Sequence, residues 1–156
     1  MNTNVLWADD DCDRFLAPLG RILDRQSTLS VKSALTFLEA LEILEGSEGA
    51  DNHERIHSVL LDIILPYDRE GRGALMADLG IKLADRAAGS GVKVIAFLTV
   101  VRRDEVADKF TELQKTHPGV DFGYFDKTNL LDRNELQSLI DLLASSHNKR
   151  PEDKTA

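Results

Sequence analysis

The chain has 156 residues, with 19 Lys and Arg against 27 Asp and Glu, giving a formal net charge of −8. That length suits one domain with a single core, and 42% apolar with 29% charged residues sets it apart from disordered chains. The acidic balance argues against a nucleic-acid or membrane surface, no apolar run approaches the ~18 residues of a membrane span, and a lone Cys12 excludes a disulfide framework and fits a reducing cytoplasm.

Short β-rich runs alternate with amphipathic segments five times. Asn4–Ala8 is the first strand candidate and runs into Asp9-Asp10-Asp11. Phe15, Leu16, Leu19, Ile22 and Leu23 then form one helical stripe. Pro18 falls inside it, so that helix starts near Phe15 or bends at its start; Asp11 or Asp13 is the candidate cap. Thr28–Lys32 alternates as a second strand, and Leu35, Leu38, Leu41 and Leu44 predict a helix stopping at Gly46. Ser58–Leu65 is nearly all apolar, as in a parallel strand covered on both faces. Its one interruption is Asp62. Pro66 closes it, and an irregular segment follows over 67–79.

A helix is predicted over Gly80–Ala88, a fourth strand over Lys93–Thr99 and a helix over Asp104–Thr116. Asp121–Asp126 is the fifth strand, followed by Lys127 and Thr128. The last helix carries Leu136, Leu139, Ile140 and Leu143, with Asp132 and Glu135 spaced as a capping box. The domain is expected over 4–146, with 147–156 a flexible tail. Such alternation predicts a five-stranded, doubly wound α/β domain with a parallel sheet between helices.

Open parallel sheets bind ligands beyond the carboxyl ends of their strands. There this sequence places Asp9, Asp10, Asp62, Thr99 and Lys127. Clustered carboxylates suit a hard divalent cation such as Mg²⁺. A carboxylate can also attack phosphorus to give an aspartyl phosphate, and metal, ammonium and hydroxyl together stabilise a transferring phosphoryl group. The four histidines show no zinc spacing.

In order, Val5-Leu-Trp-Ala-Asp9-Asp10, Leu60-Leu-Asp62-Ile-Ile-Leu-Pro66, Phe97-Leu-Thr99 and Gly123-Tyr-Phe-Asp-Lys127 resemble the receiver domain of two-component response regulators over about residues 4–145. The resemblance implies a CheY-like, flavodoxin-like sheet of strand order 2-1-3-4-5. It implies Asp62 as phosphoacceptor, Mg²⁺ bound by Asp9, Asp10, Asp62 and the Ile64 carbonyl, and Thr99 and Lys127 on the phosphoryl group. Thr99 and Tyr124 would be the switch residues. The implied partners are a sensor histidine kinase or histidine phosphotransferase and a downstream protein, with a homodimer as one assembly and no direct contact with nucleic acid or membrane. The implied setting is the cytoplasm, and the only chemistry is the domain's own phosphoryl transfer and dephosphorylation.

Three features depart from the family pattern. Val100 stands where a small residue is usual, Thr128 stands where proline is usual, and 67–79 is about ten residues longer than typical. They motivate a second reading, a phosphorylation-independent interaction module of the same fold. A third, an aspartyl-nucleophile phosphatase, lacks a general acid because Ile64 holds that position.

Overall fold

The computed structural model describes residues 2–14, 16–70, 79–129 and 132–148. Phe15, most of the long segment after Pro66 and the tail beyond 148 lie outside them. Five strands, β1 (Thr3–Ala8), β2 (Leu29–Ala34), β3 (Ser58–Leu61), β4 (Val94–Thr99) and β5 (Asp121–Asp126), form one parallel sheet in the order β2-β1-β3-β4-β5. Between and after them lie α1 (Ala17–Asp24), α2 (Phe37–Ser47), α3 (Leu79–Gly89), α4 (Ala107–Thr116) and α5 (Arg133–Ala144).

Side chains alternate across the sheet, so β1, β3 and β4 each feed two cores. Leu6, Val59, Leu61, Ile95 and Phe97 point to one face and pack with Leu44 of α2, Leu83 of α3 and Phe110 of α4. Val5, Trp7, Leu60, Ala96 and Leu98 point to the other, against Leu19 and Leu23 of α1 and Leu139 and Leu143 of α5. This two-faced burial explains why the central strands read as apolar runs. Fully burying one such Leu or Phe side chain contributes about 1.5–3 kcal/mol.

Several local expectations need correction. α1 begins at Ala17 and holds Pro18 within its first turn, where an amide has no intrahelical acceptor to lose. Its N-cap is Leu16 without a side-chain bond, so neither Asp11 nor Asp13 caps it. Instead the Asp11 carbonyl accepts the amides of Arg14 at 3.1 Å and Leu16 at 2.9 Å. The carboxylate is left outside the helix start.

α2 is capped by Thr36, whose hydroxyl accepts the Glu39 amide at 3.1 Å. It buries Ala40 and Leu44 and leaves Leu38 exposed, so the leucine repeat is not its inner face. Gly46 lies inside the helix, and the chain turns at Gly49 with φ of +81°, a conformation that glycine adopts without strain. β3 ends at Leu61, four residues short of Leu65. A 3-10 turn over Arg103–Val106 precedes α4. At α5, Asp132 accepts the amides of Asn134 and Glu135, the forward half of the capping box, while its own amide donates to the Asn129 carbonyl at 3.0 Å and not to Glu135.

Candidate functional site

The register sets the site. Ala8 pairs with Leu61 and Thr99 with Asp126, so Asp9, Asp62, Thr99 and Lys127 emerge together at the carboxyl edge. Backbone bonds carry the ladder one step past the strands: the Asp9 amide donates to Ala34 at 3.0 Å and the Asp62 amide to Ala8 at 3.0 Å. β1 lies between β2 and β3, where the chain's winding reverses. That reversal leaves a crevice above β1 and β3.

In the crevice, Lys127 Nζ lies 2.5 Å from Asp62 Oδ2 and 2.9 Å from Asp9 Oδ2. All three side chains are buried, at 8%, 6% and 0% exposure. Lys127 therefore faces the acids and not Asp126, whose carboxylate instead accepts the Thr128 amide and hydroxyl at 2.8 and 2.7 Å. Carboxylate oxygens of Asp9, Asp10 and Asp62 lie within 4.8 Å of one another, with Asp10 exposed. This is the one metal-capable cluster of His, Cys, Asp and Glu among the described residues.

Burial pushes the Asp9 carboxyl up from 3.8 to about 6, against the pull of Lys127. Asp10 is also raised, by burial and then by Asp11. Burial pulls the Lys127 ammonium down, but its ties to Asp62 and Asp9 outweigh that and hold it above its ordinary value. Two negative charges out of water beside one positive charge leave the site short of cation. Asp9 Oδ2 makes this visible: it is buried, and the ammonium 2.9 Å away that serves it also serves Asp62 at 2.5 Å. An oxygen-only donor set in which one ammonium is shared between two buried carboxylates fits a hard divalent ion.

Asp62 Oδ1 accepts the Ile64 amide at 3.2 Å, so both of its oxygens hold donors. Thr99 is buried, and its Oγ1 accepts the Val101 amide at 3.2 Å. Tyr124 is half-buried against Phe97 and Phe110, with ring centroids 6.0 and 5.9 Å away. Its hydroxyl donates to the Val101 carbonyl at 2.6 Å. Thr99 and Tyr124 thus hold opposite sides of one residue, which links the two predicted switch positions through Val101. Burial, then Glu105 and Asp62, lifts the Tyr124 hydroxyl to about 12, so it stays protonated as a donor.

The sequence reading missed three participants. Asp11 Oδ2 comes within 3.8 Å of Lys127 Nζ, and the Asp11 amide donates to Asp9 Oδ1 at 2.9 Å. Val101 has no chemical signature to find it by. Gly80 was legible only as a helix start. A Cβ there would stand 2.2 Å from the Asp62 carbonyl oxygen and 2.5 Å from Ile63 Cα, so α3 can back the Asp62 segment only without a side chain. Val100 is 60% exposed and lines, with Leu19, Ile64 and Leu136, a cleft of about 700 Å³ opening onto Asp62. Cys12 is buried, with its thiol pushed up to about 11 by burial and by Asp9, the direction that disfavours the nucleophilic thiolate.

No family model matches the chain, and no curated protein matches it. Solved structures do. A response regulator receiver domain protein (CheY-like) from Methanospirillum hungatei aligns over 92% of this chain and 97% of its own, at 21% identity and a TM-score of 0.57. A receiver domain protein from Clostridium thermocellum aligns over 94% of each chain, at 16% identity and 0.61. The chain has the receiver-domain fold. A third receiver-fold neighbour, a response regulator from Burkholderia pseudomallei with a phosphorylated aspartic acid, calcium ion and citrate, covers 97% of this chain and 73% of its own, at 19% identity and 0.58. The predicted strand order is the observed one. Among the described residues no helix is long and apolar enough to cross a membrane.

Proposed function

We propose that this domain accepts a phosphoryl group on Asp62 from a phosphohistidine of a sensor kinase or phosphotransferase, and that the modified site alters a face read by a downstream protein. The observation that carries this reading is Lys127 Nζ, buried between Asp62 and Asp9 with Asp10 beside them. The Burkholderia neighbour, with its phosphorylated aspartate and calcium ion, supports both the modification and a divalent ion, here taken as Mg²⁺. Asp9, Asp10, Asp62 and the Ile64 carbonyl would hold the ion, which supplies charge neutralisation for the phosphoryl oxygens.

In the transfer, an Asp62 oxygen attacks phosphorus, the P–N bond breaks, and the donor imidazole keeps the electron pair. The attacking oxygen exchanges its present N–H partner for phosphorus. The freed donor, Lys127 or the Ile64 amide, then serves an equatorial phosphoryl oxygen. The added charge of about −1.5 to −2 accepts from the Thr99 hydroxyl and draws that side chain toward Asp62, away from the Val101 amide it now accepts from. Releasing that amide changes the residue that Tyr124 holds from the other side. The domain turns over no other substrate in this reading, and it works in the cytoplasm.

Intact mass after incubation with a small acyl phosphate tests this. The wild type should gain one phosphoryl group with Mg²⁺ and none without it, and Asp62→Asn should gain none. A wild type that never labels would defeat the proposal. The exposure of Val100 over the site and the Thr128 ties to Asp126 favour the second reading, a phosphorylation-independent interaction module. There, Asp62→Asn would bind its partner as tightly as the wild type.

A further inference from the structure

Past Asp62 the chain is tied to the first turn of α2. Ile63 and Leu65 are buried at 1% and 0% exposure. Then the Pro66 carbonyl accepts the Phe37 amide at 2.8 Å, and the Tyr67 carbonyl accepts the Leu38 amide at 3.1 Å. Those amides are among the four that a helix start leaves without intrahelical acceptors. Here they are spent on the continuation of β3. The Tyr67 ring stacks on Phe37 at 6.0 Å and 20°. Arg69 pairs with Glu39, whose carboxylate also accepts the Leu35 amide at 2.8 Å. Two backbone bonds, a ring stack and an ion pair therefore join residues 66–69 to α2.

We propose that this junction is a second conformational output of the site: a phosphoryl group on Asp62 is read at the amino end of α2, separately from the Thr99–Val101–Tyr124 route. The inference rests on Asp62 being the phosphoacceptor. Phosphorylation rearranges the donors on Asp62, and the Ile64 amide on Oδ1 is the one that belongs to this segment. Movement there cannot be absorbed toward α3, because the first turn of α3 is already in contact: a Cβ on Gly80 would stand 2.2 Å from the Asp62 carbonyl oxygen. Buried Ile63 and Leu65 make the segment shift as a packed unit. The displacement reaches Pro66 and Tyr67, whose carbonyls hold α2. The two states then differ in a named set of contacts, as a shift in populations requires.

The test is amide hydrogen exchange at Phe37 and Leu38 in the full chain with Mg²⁺, with and without beryllofluoride. Intact mass with an acyl phosphate is followed in parallel. Exchange at both amides should change at least fivefold in the wild type. In Tyr67→Ala/Arg69→Ala it should be faster at rest and should no longer respond, while the phosphoryl adduct still forms. Unchanged exchange in a wild type that forms the adduct overturns the junction and spares the phosphoacceptor reading. A double variant responding like the wild type overturns it too. If no adduct forms, the phosphoacceptor reading fails and this inference falls with it.

Discussion

At the carboxyl edge of the sheet Lys127 meets Asp9 at 2.9 Å, with side-chain exposures of 8% and 0%; at the amino edge His117 meets Asp85 at 2.7 Å, with 17% and 62%. The distances are similar and the surroundings are not. The first pair has been taken out of water together with Asp62, and its excess negative charge has no solvent to dilute it. Around the second, Arg86 reaches Glu45 at 3.5 Å and Glu48 at 3.7 Å, with every partner 40% exposed or more. Charges at the amino edge decorate the fold, whereas those at the carboxyl edge are held under tension that a ligand can relieve.

The sharpest way to break this contrast is Lys127→Ala. It leaves Asp9 and Asp62 buried without a cation, so unfolding in urea without Mg²⁺ should show a loss of about 3–5 kcal/mol. Saturating Mg²⁺ should recover part of it. A loss below ~1 kcal/mol would place the carboxyl edge in the same class as the amino edge.

The pH dependence probes the same tension from the acid's side. With Asp9 lifted from 3.8 to about 6, the folded chain keeps a proton between those values that the unfolded chain has released. Stability from this group is greatest below pH ~4, falls as pH rises toward 6, and is level beyond, with a total change of up to ~3 kcal/mol. Asp9→Asn should remove this part of the pH slope in Mg²⁺-free urea titrations. Added Mg²⁺ favours the ionised acid and should flatten the wild-type slope. Equal slopes in wild type and Asp9→Asn would mean that Asp9 is not strained.

Gly80→Ala acts on the backbone beneath the charges. The new methyl must displace the Asp62 carbonyl or the start of α3, a clash expected to cost about 1–3 kcal/mol in urea unfolding. Phosphoryl labelling of Asp62 should slow with it. Normal labelling at full stability would show that α3 can yield without moving Asp62.

These predictions also mark what was legible. β5 could be bounded to the residue, and Asp9, Asp62, Thr99 and Lys127 could be placed on one edge, because strand composition and strand ends are local signals. The α2 face could not be chosen, since Leu38 and Leu44 look alike until α3 and β1 bury one of them. Gly46 and Gly49 are equally good stops on paper, and only the backbone at Gly49 turns left-handed. Gly80, Val101 and the Pro66–Tyr67 ties to α2 matter through contacts distant in sequence, which a reading of periods and caps does not reach.

Asp85→Asn is the smallest effect and the control for the rest. The amide keeps an oxygen that can accept from His117 Nε2, and Asp85 faces solvent, so the cost should stay below ~0.5–1 kcal/mol in urea unfolding at neutral pH. Salt then separates the two edges. At 1 M the screening length is about 3 Å, short enough to erase most of whatever the exposed pair contributes. Lys127→Ala should lose nearly as much stability in 1 M NaCl as in dilute buffer, since diffuse monovalent salt screens weakly between side chains only 0–8% exposed. If salt shrinks both losses in proportion, the carboxyl edge is wetter than its geometry implies, and the tension assigned to Asp9 is already relieved by solvent.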